Sequence, residues 1–169
     1  MLTSGLTATR IANAFGVNLI YARQLCQFVD EDSTLEDIQR LIDAKPKPFV
    51  KWVGGKRQLL KQFRELGLYP PEAFNPMTST YYEPFVGGGA VFFDLLPKNA
   101  KLSDLNSELV ITYNVIKNSV DELIESLQKH IYDKEYYLKV RAEKVEDLSE
   151  IEVASRFIFL NRTGFNGLY

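Results

Sequence analysis

The fold of this chain is decided by YYEPFVGGGAVFFDLLPKNAKLSD, residues Tyr81 to Asp104. An aromatic run leads into three glycines, Gly87 to Gly89, and an apolar run then leads to a second short stretch that ends on Asp104. This order predicts a strand, a tight turn, a helix and a second strand. Glycine permits a sharp turn and a close approach of the backbone to a ligand. An acid at the end of the next strand can hold a ribose diol. On these residues alone, a plain tight turn is the alternative.

Length and composition indicate a globular chain. Its 169 residues provide for one domain, or for a small module and most of a larger one. A hydrophobic content of 46% and an aromatic content of 12% suffice for a core. The net charge of −2 argues against a strongly basic nucleic-acid binder. Every charged residue from Lys51 to Arg64 is basic, which indicates either a local positive face or a solvated helix face.

The chain has one cysteine and one histidine, which limits the disulfides and metal sites that it can form. The single Cys26 excludes an internal disulfide and a Cys-rich zinc site. The single His130 argues against a metal site, and we predict that it lies unpaired at a surface helix end. No signal peptide and no apolar run of about 18 residues is found, which predicts a cytoplasmic protein without a membrane span.

The sequence Lys45-Pro46-Lys47-Pro48 predicts a domain boundary. Two prolines this close together disfavour helix and favour an extended linker. We therefore predict a small all-α module at residues 1–45, a linker at 46–48 and a second domain at 49–169.

Three short helices are predicted in the module. Thr7 can cap a helix that runs to about Phe15, and a second helix spans about 18–28. Capping-box spacing from Ser33 to Glu36 opens a third.

The spacing of the first two helices is that of a helix-turn-helix, with Gly16 in the turn. A small three-helix module packed by the same residues is the alternative. In a helix-turn-helix, the apolar side chains of residues 19–21 (Leu19, Ile20 and Tyr21) would face the DNA groove. The positions that such a unit keeps apolar hold Ile11, Ala12, Phe15, Val17, Ala22 and Leu25.

Strands alternate with helices beyond Pro48, which predicts a parallel α/β sheet. The two clear strands are predicted at 81–85 and 101–104. A doubly wound sheet needs more strands, so an incomplete domain is expected. Helices are predicted at about 55–66, 89–96, 107–118, 120–130, 134–145 and 150–161.

Four motifs together resemble the adenine-specific DNA methyltransferases of the Dam type, especially the Gram-positive restriction-modification members. The resemblance runs in order from about Pro48 to Tyr169 and covers the N-terminal portion of the family. It implies the first strands of a Rossmann-like class I methyltransferase sheet. The motifs are FVKWVGGKRQLL from Phe49, EPFVGGGA from Glu83, SDLNSEL from Ser103 and NRTGFNGLY from Asn161.

The resemblance implies that S-adenosyl-L-methionine is the cofactor. Alternatives stay open for several residues: Trp52 as a core anchor, Asp104 as the cap of the next helix, Phe85 as a core residue, and Glu83 as a partner of backbone donors only. The Gly-Lys pair at Lys56 lacks the rest of a phosphate loop. The cofactor contacts implied by the family are Trp52, Lys56, Phe85, Gly87, Gly89 and Asp104.

The closing segment is polar and aromatic, and a loop of this kind can approach a base step or a phosphate. A glycine-rich turn is the alternative. By resemblance to the family, the residues at double-stranded DNA are Arg162, Phe165, Asn166 and Leu168.

The family holds the flipped adenine with an Asp-Pro-Pro-Tyr motif, which is absent from these 169 residues. We therefore expect a truncated portion of a DNA N6-adenine methyltransferase, inactive alone, with GATC as the target by resemblance. A second polypeptide carrying the missing half is a candidate partner. The alternative, of another class, is a noncatalytic DNA-binding or regulatory protein that joins a helix-turn-helix to a degenerate methyltransferase half.

Overall fold

A computed structural model describes residues 7–15, 17, 19–26, 28–29 and 32–168, with the backbone alone at 19, 20 and 24. These residues form two compact units, each discontinuous in sequence. The first contains the chain up to Lys47 together with Lys56–Glu83 and Ala90–Lys101. The second contains Pro48–Gly55, Pro84–Gly89 and the chain from Leu102 on. The predicted boundaries at 1–45, 46–48 and 49–169 stay a prediction.

The first unit begins with three short helices: α1 (Ala8–Phe15), α2 (Leu19–Leu25) and α3 (Leu35–Asp43). They pack around a small apolar core in which Ile11 and Ile38 are fully buried. All six apolar positions predicted from the sequence belong to this cluster. Ile11, Ala22 and Leu25 are buried in it, and Ala12, Phe15 and Val17 are partly buried against it.

The predicted cap of α3 is wrong, Tyr21 lacks the orientation that a helix-turn-helix would give it, and part of the prediction lies outside the described residues. Tyr21 does not face outward: it is buried, and its hydroxyl donates to the Leu41 carbonyl over 2.8 Å. Thr34, rather than Ser33, caps α3, with Asp37 completing the capping box. The predicted turn residue Gly16 and the side chains of residues 19–20 lie outside the described residues.

The rest of the first unit contains the helix and the two strands of the predicted strand–turn–helix–strand, whereas the turn itself, Pro84–Gly89, belongs to the second unit. Helix α4 (Arg57–Glu65) precedes β1 (Thr80–Glu83), α5 (Ala90–Leu95) and β2 (Asn99–Leu102). The two strands form a parallel two-stranded sheet and begin one or two positions earlier than predicted. The chain is therefore a mixed helix and strand protein, as predicted, with this small sheet in its described part.

The second unit is mainly helical: α6 (Ser107–Asn118), α7 (Val120–Leu127), α8 (Lys134–Ala142), a 3-10 turn (Val145–Asp147) and α9 (Glu150–Thr163). A second 3-10 turn, Phe165–Gly167, follows α9. Helix α9 is the centre of the unit because it packs against each of the other three helices. Residues 153–157 are accordingly buried in succession.

A buried arginine joins three of these helices. The Arg156 guanidinium on α9 donates to the carbonyls of Val140 (3.0 Å) and Arg141 (3.0 Å) at the end of α8. It also pairs with the Glu108 carboxylate on α6 over 2.9 Å. Both carbonyls lie in the last turn of α8, where helical donors run out. That of Val140 also accepts the Glu143 N–H over 3.3 Å, and the guanidinium supplies a donor to each.

The prediction that His130 is unpaired is wrong. Its ring nitrogens lie 3.0 Å from the Tyr136 hydroxyl and 3.0 Å from the Ser155 hydroxyl. The imidazole also stacks on Phe159 with ring centroids 4.3 Å apart. Burial lowers the pKa of His130, an effect that the Glu143 charge partly opposes. The local sequence gave no indication of these partners, since two of the three come from α9.

No helix in the described part of the chain is long and apolar enough to cross a membrane. Nor do three or more His, Cys, Asp or Glu side chains of the described residues cluster as metal ligands.

Candidate functional site

The glycine loop between β1 and α5 is a tight turn fastened to the segment after β2. The Val86 N–H donates to the Ser103 carbonyl over 3.0 Å, and the Gly89 N–H closes the turn on the Val86 carbonyl over 2.8 Å. Gly87 has a φ of +49°. Residues with a Cβ rarely adopt this left-handed conformation, which explains a glycine here.

Asp104 holds the same loop from the end of β2. Its Oδ2 accepts the Gly87 N–H over 2.9 Å, and its Oδ1 accepts the Asn106 N–H over 3.0 Å. The cap of α6 is Asn106, whose side chain accepts from the Leu109 N–H over 2.9 Å. The alternative in which Asp104 caps that helix is therefore wrong.

Trp52 packs directly on the glycine loop. A Cβ built on Gly87 would lie 2.7 Å from the indole Cδ1 and 2.7 Å from Nε1, closer than a Cβ atom approaches any non-bonded neighbour in real proteins. Trp52 also packs against the cluster formed by Val50, Val86 and Phe157. Trp52 is therefore a core anchor, as in one of the two alternatives above, and it also contacts the predicted cofactor loop. The space beside Gly87 is filled by the indole ring.

Tyr113 is a neighbour of the loop that the sequence analysis missed. Its hydroxyl donates to the Gly87 carbonyl over 3.2 Å, and its ring meets Phe49 edge to face with centroids 4.9 Å apart. Tyr113 lies one helical turn after the buried Leu109 on α6. That spacing could have placed it on the loop side of the helix.

Lys56 belongs to the first unit, where it pairs with Glu83. Its ammonium lies 2.9 Å from Glu83 Oε1. The Glu83 side chain is buried, and its Oε2 has no hydrogen-bond partner among the described residues. Burial raises the pKa of the nearby Tyr81, and Glu83 adds to the rise. Glu83 is thus paired with a cation, and not with backbone donors only.

The predicted site residues fall into three groups. Trp52, Gly87 and Asp104 are brought together in the second unit. Phe85 precedes them on the loop with 67% of its surface exposed, so it is not a core residue. Lys56 belongs to the first unit, in its pair with Glu83.

The predicted DNA-contact residues lie on the surface at the end of α9 and in the turn that follows. Arg162, Phe165, Asn166 and Leu168 are all exposed, Phe165 by 84%.

Asn161 is a second residue that the sequence analysis left without a role of its own. It lies at the end of α9 and is 1% exposed. Its amide bonds the backbone of Lys51 on one side and of Gly167 on the other. An asparagine that directly follows the apolar run FIFL was the only indication in the sequence.

Residues 52–169 match the family described as D12 class N6 adenine-specific DNA methyltransferase. This match covers more than half of the chain, so the chain belongs to that family. The resemblance of its four motifs to Dam-type enzymes is confirmed.

Relatives carry the corresponding names. The chain is 43% identical over 129 residues to the type II methyltransferase M1.LlaDCHI of Lactococcus lactis subsp. cremoris, covering 73% of this chain and 43% of that protein. It is 43% identical over 139 residues to the type II methyltransferase M.MjaIII of Methanocaldococcus jannaschii, covering 73% and 47%. The DNA adenine methylase of Escherichia coli K12 is 32% identical over 128 residues, covering 73% and 43%. The chain spans less than half the length of these curated relatives.

Proposed function

We propose that this chain contributes the S-adenosyl-L-methionine-binding loop and a DNA-contacting turn to a DNA N6-adenine methyltransferase. The observation that carries the proposal is the convergence of Gly87, Asp104 and Trp52 in one loop. On this proposal, β1 and β2 are the first strands of a Rossmann-like class I methyltransferase sheet.

The loop fits the proposed cofactor in two respects. A carboxylate has about four acceptor positions, and Asp104 uses two of them on the N–H groups of Gly87 and Asn106. Two positions therefore remain for the hydroxyls of a ribose. The indole of Trp52 provides an aromatic face beside the loop. The ring fits there because Gly87 has no Cβ.

When bound, S-adenosyl-L-methionine supplies an electrophilic methyl group on a sulfonium sulfur. The roles left to this chain are to hold that group and to position DNA. We propose that Trp52, Lys56, Phe85, Gly87, Gly89 and Asp104 serve the first. Arg162, Phe165, Asn166 and Leu168, exposed on the turn after α9, serve the second, and the proposed target is the exocyclic amine of adenine in GATC.

Binding of S-adenosyl-L-homocysteine to the full chain tests this proposal. Trp52 is the only tryptophan, so the intrinsic fluorescence of the protein reports on the loop itself. We expect saturable quenching, with a matching heat of binding by calorimetry. Adenosine and methionine alone serve as partial ligands. An absence of binding by both methods would contradict the cofactor proposal.

Transfer of the methyl group is a separate question. We expect no tritium transfer from labelled S-adenosyl-L-methionine to a GATC duplex by this chain alone, because its residues include no Asp-Pro-Pro-Tyr to hold a flipped adenine. We expect transfer on addition of a polypeptide that carries the rest of a family member. Transfer by the chain alone would mean that catalytic groups lie within residues 48–169.

Helices α1 and α2 carry a second candidate function, DNA binding by a helix-turn-helix. It is favoured by the packing of α1 on α2 around the apolar positions that such a unit requires. Arg23 is exposed on α2 and is the residue to test. We expect Arg23→Ala to weaken the gel shift of a duplex at low salt, and affinity to fall steeply with salt. An unchanged shift would leave the helices with a structural role only.

A further inference from the structure

We infer that Asn161 is a positioning residue for Trp52, through which the conformation of the turn after α9 determines the geometry of the glycine loop. The inference rests on the proposed function, because it assigns a role within the proposed cofactor site. Asn161 is not among the residues that the family resemblance assigned to that site.

The amide of Asn161 pairs with both backbone groups of one residue. Its Oδ1 accepts the Lys51 N–H over 2.8 Å, and its Nδ2 donates to the Lys51 carbonyl over 2.8 Å. This is the pattern by which one strand residue pairs with another, so it fixes the backbone of Lys51 in direction as well as position. The side chain is 1% exposed, so water cannot replace these bonds.

The remaining N–H of the same amide reaches the turn. Nδ2 also donates to the Gly167 carbonyl over 3.2 Å. Both donors of the amide are therefore engaged, one on each segment. A displacement of the turn that keeps this bond must change the geometry of the amide at Lys51, because a planar amide has no independent torsion for its two donors.

Lys51 directly precedes Trp52 in the chain. A shift of the Lys51 backbone is therefore passed to Trp52, which packs on the glycine loop. Trp52 fits tightly on that loop: a Cβ on Gly87 would lie 2.7 Å from its ring, and a Cβ on Gly88 would lie 3.2 Å from its Cβ. In a contact this close, a small shift of the Lys51 backbone must move the indole or the loop.

Gly167 shows how little space surrounds the amide. A Cβ at this position would lie 2.8 Å from Asn161 Nδ2, 2.8 Å from Lys51 Cβ and 3.1 Å from the Lys51 carbonyl. Its φ is +75°. Gly67 is a matched control in the first unit, since its φ is +68° but a Cβ there would meet nothing within 4 Å.

The consequence is that the two proposed sites share one buried side chain. The turn that carries Phe165 and Asn166, proposed to contact DNA, is fastened to the segment that holds Trp52, proposed to contact the cofactor. A substitution in the turn is therefore expected to change cofactor binding, although the turn contributes none of the proposed cofactor contacts.

The experiment uses the full chain and four variants: Gly167→Ala and Asn161→Ala as tests, Gly67→Ala and Ser155→Ala as controls. Ser155 is also buried on α9, but it bonds His130 and not Lys51. Folding is verified by circular dichroism and thermal unfolding, and binding is measured below the lowest melting temperature. The two readouts are the affinity for S-adenosyl-L-homocysteine and acrylamide quenching of Trp52 fluorescence.

We expect Gly167→Ala and Asn161→Ala to weaken S-adenosyl-L-homocysteine binding roughly fivefold or more, the effect of about one hydrogen bond. Quenching of Trp52 should change in the same two variants and in neither control. Gly167→Ala retains the amide, so it tests the inference should Asn161→Ala fail to fold.

Two results would overturn the inference. One is wild-type affinity and wild-type Trp52 quenching in a folded Gly167→Ala variant. The other is an equal change in Ser155→Ala, which would indicate general destabilisation of α9. If the wild-type chain binds no S-adenosyl-L-homocysteine, the proposed function fails, and the quenching series still decides whether Asn161 positions Trp52.

Discussion

The backbone N–H of Gly87 donates to the Asp104 carboxylate over 2.9 Å, although the two residues are 17 positions apart in the chain. This bond joins the glycine loop to the end of β2. The carboxylate is partly exposed, so it orders the loop and still presents acceptor positions to a ligand. One residue can thus serve the fold and the proposed site together.

Replacing Asp104 by alanine should weaken S-adenosyl-L-homocysteine binding by about ten- to a hundredfold. The change removes a charged acceptor, and hydrogen bonds to charged groups contribute ~1.5–3 kcal/mol. Calorimetry on the full chain measures this effect. Asp121→Ala, an exposed acid in the first turn of α7, is the control and should bind as the wild type does. Equal affinities in the two variants would remove Asp104 from the proposed site.

Substitution of Gly87 by alanine should destabilise the protein more than the same substitution at Gly67. Both positions have positive φ, which costs an alanine about 1–2 kcal/mol. At Gly87 the added Cβ also meets Trp52 at 2.7 Å, whereas the position at Gly67 is open. Overpacking of this kind adds about 1–3 kcal/mol. Urea unfolding monitored by circular dichroism measures both variants, and equal losses would contradict the tight fit of Trp52 on the loop.

The free energy of unfolding should fall as the pH decreases below about 6.5, in part through His130. Burial holds the pKa of His130 below its ordinary value, whereas an unfolded histidine titrates near about 6.5. The unfolded state therefore binds more protons in this range, and stability present above it is lost as the pH falls through the folded pKa. Urea titrations at neutral and mildly acidic pH measure the slope.

The variant His130→Gln isolates this contribution, because carboxylates titrate in both proteins. Its stability should depend less on pH between about 7 and 5 than that of the wild type. Parallel pH profiles for the two proteins would mean that protonation of the imidazole does not destabilise the folded protein.

Replacing Arg156 by alanine should cost about 3 kcal/mol or more of unfolding free energy. The change removes the guanidinium donor from the Val140 and Arg141 carbonyls, of which, among the described residues, only Val140 keeps a backbone donor, the Glu143 N–H, and it breaks a largely buried ion pair. Glu108→Ala should cost less than removal of the arginine, because the Glu108 side chain is 24% exposed and the guanidinium keeps its two carbonyls. Chemical denaturation measures both, and the reverse order would mean that the ion pair outweighs the carbonyl bonds.

Local patterns predicted the helices and strands of this chain closely. The predicted strand–turn–helix–strand around Gly87 is present, with bounds shifted by one or two positions. Helix α6 begins and ends where it was predicted, at 107 and 118. These predictions succeed because turns, caps and apolar periodicity depend on residues that are near one another in sequence.

Errors occurred where a distant residue decides the environment. In a helix-turn-helix Tyr21 would face the DNA groove, yet it is buried, and α3 supplies the Leu41 carbonyl for its hydroxyl. His130 was expected to be unpaired, yet α9 supplies Ser155 and Phe159. One error was local: the cap of α3 was misplaced by one residue, since Thr34 and Asp37 have the same spacing as the predicted pair.

The sequence by itself determined the family, the order of the elements and the residue types available to the proposed site. Motif order and turn chemistry are properties of contiguous residues, so no tertiary contact was needed to recognise them. Only the tertiary structure decided that Trp52 fills the space beside Gly87 and that Asn161 binds a residue 110 positions away. Such contacts depend on how helices and loops pack, and hydrogen bonds between distant segments leave no periodic trace in the chain.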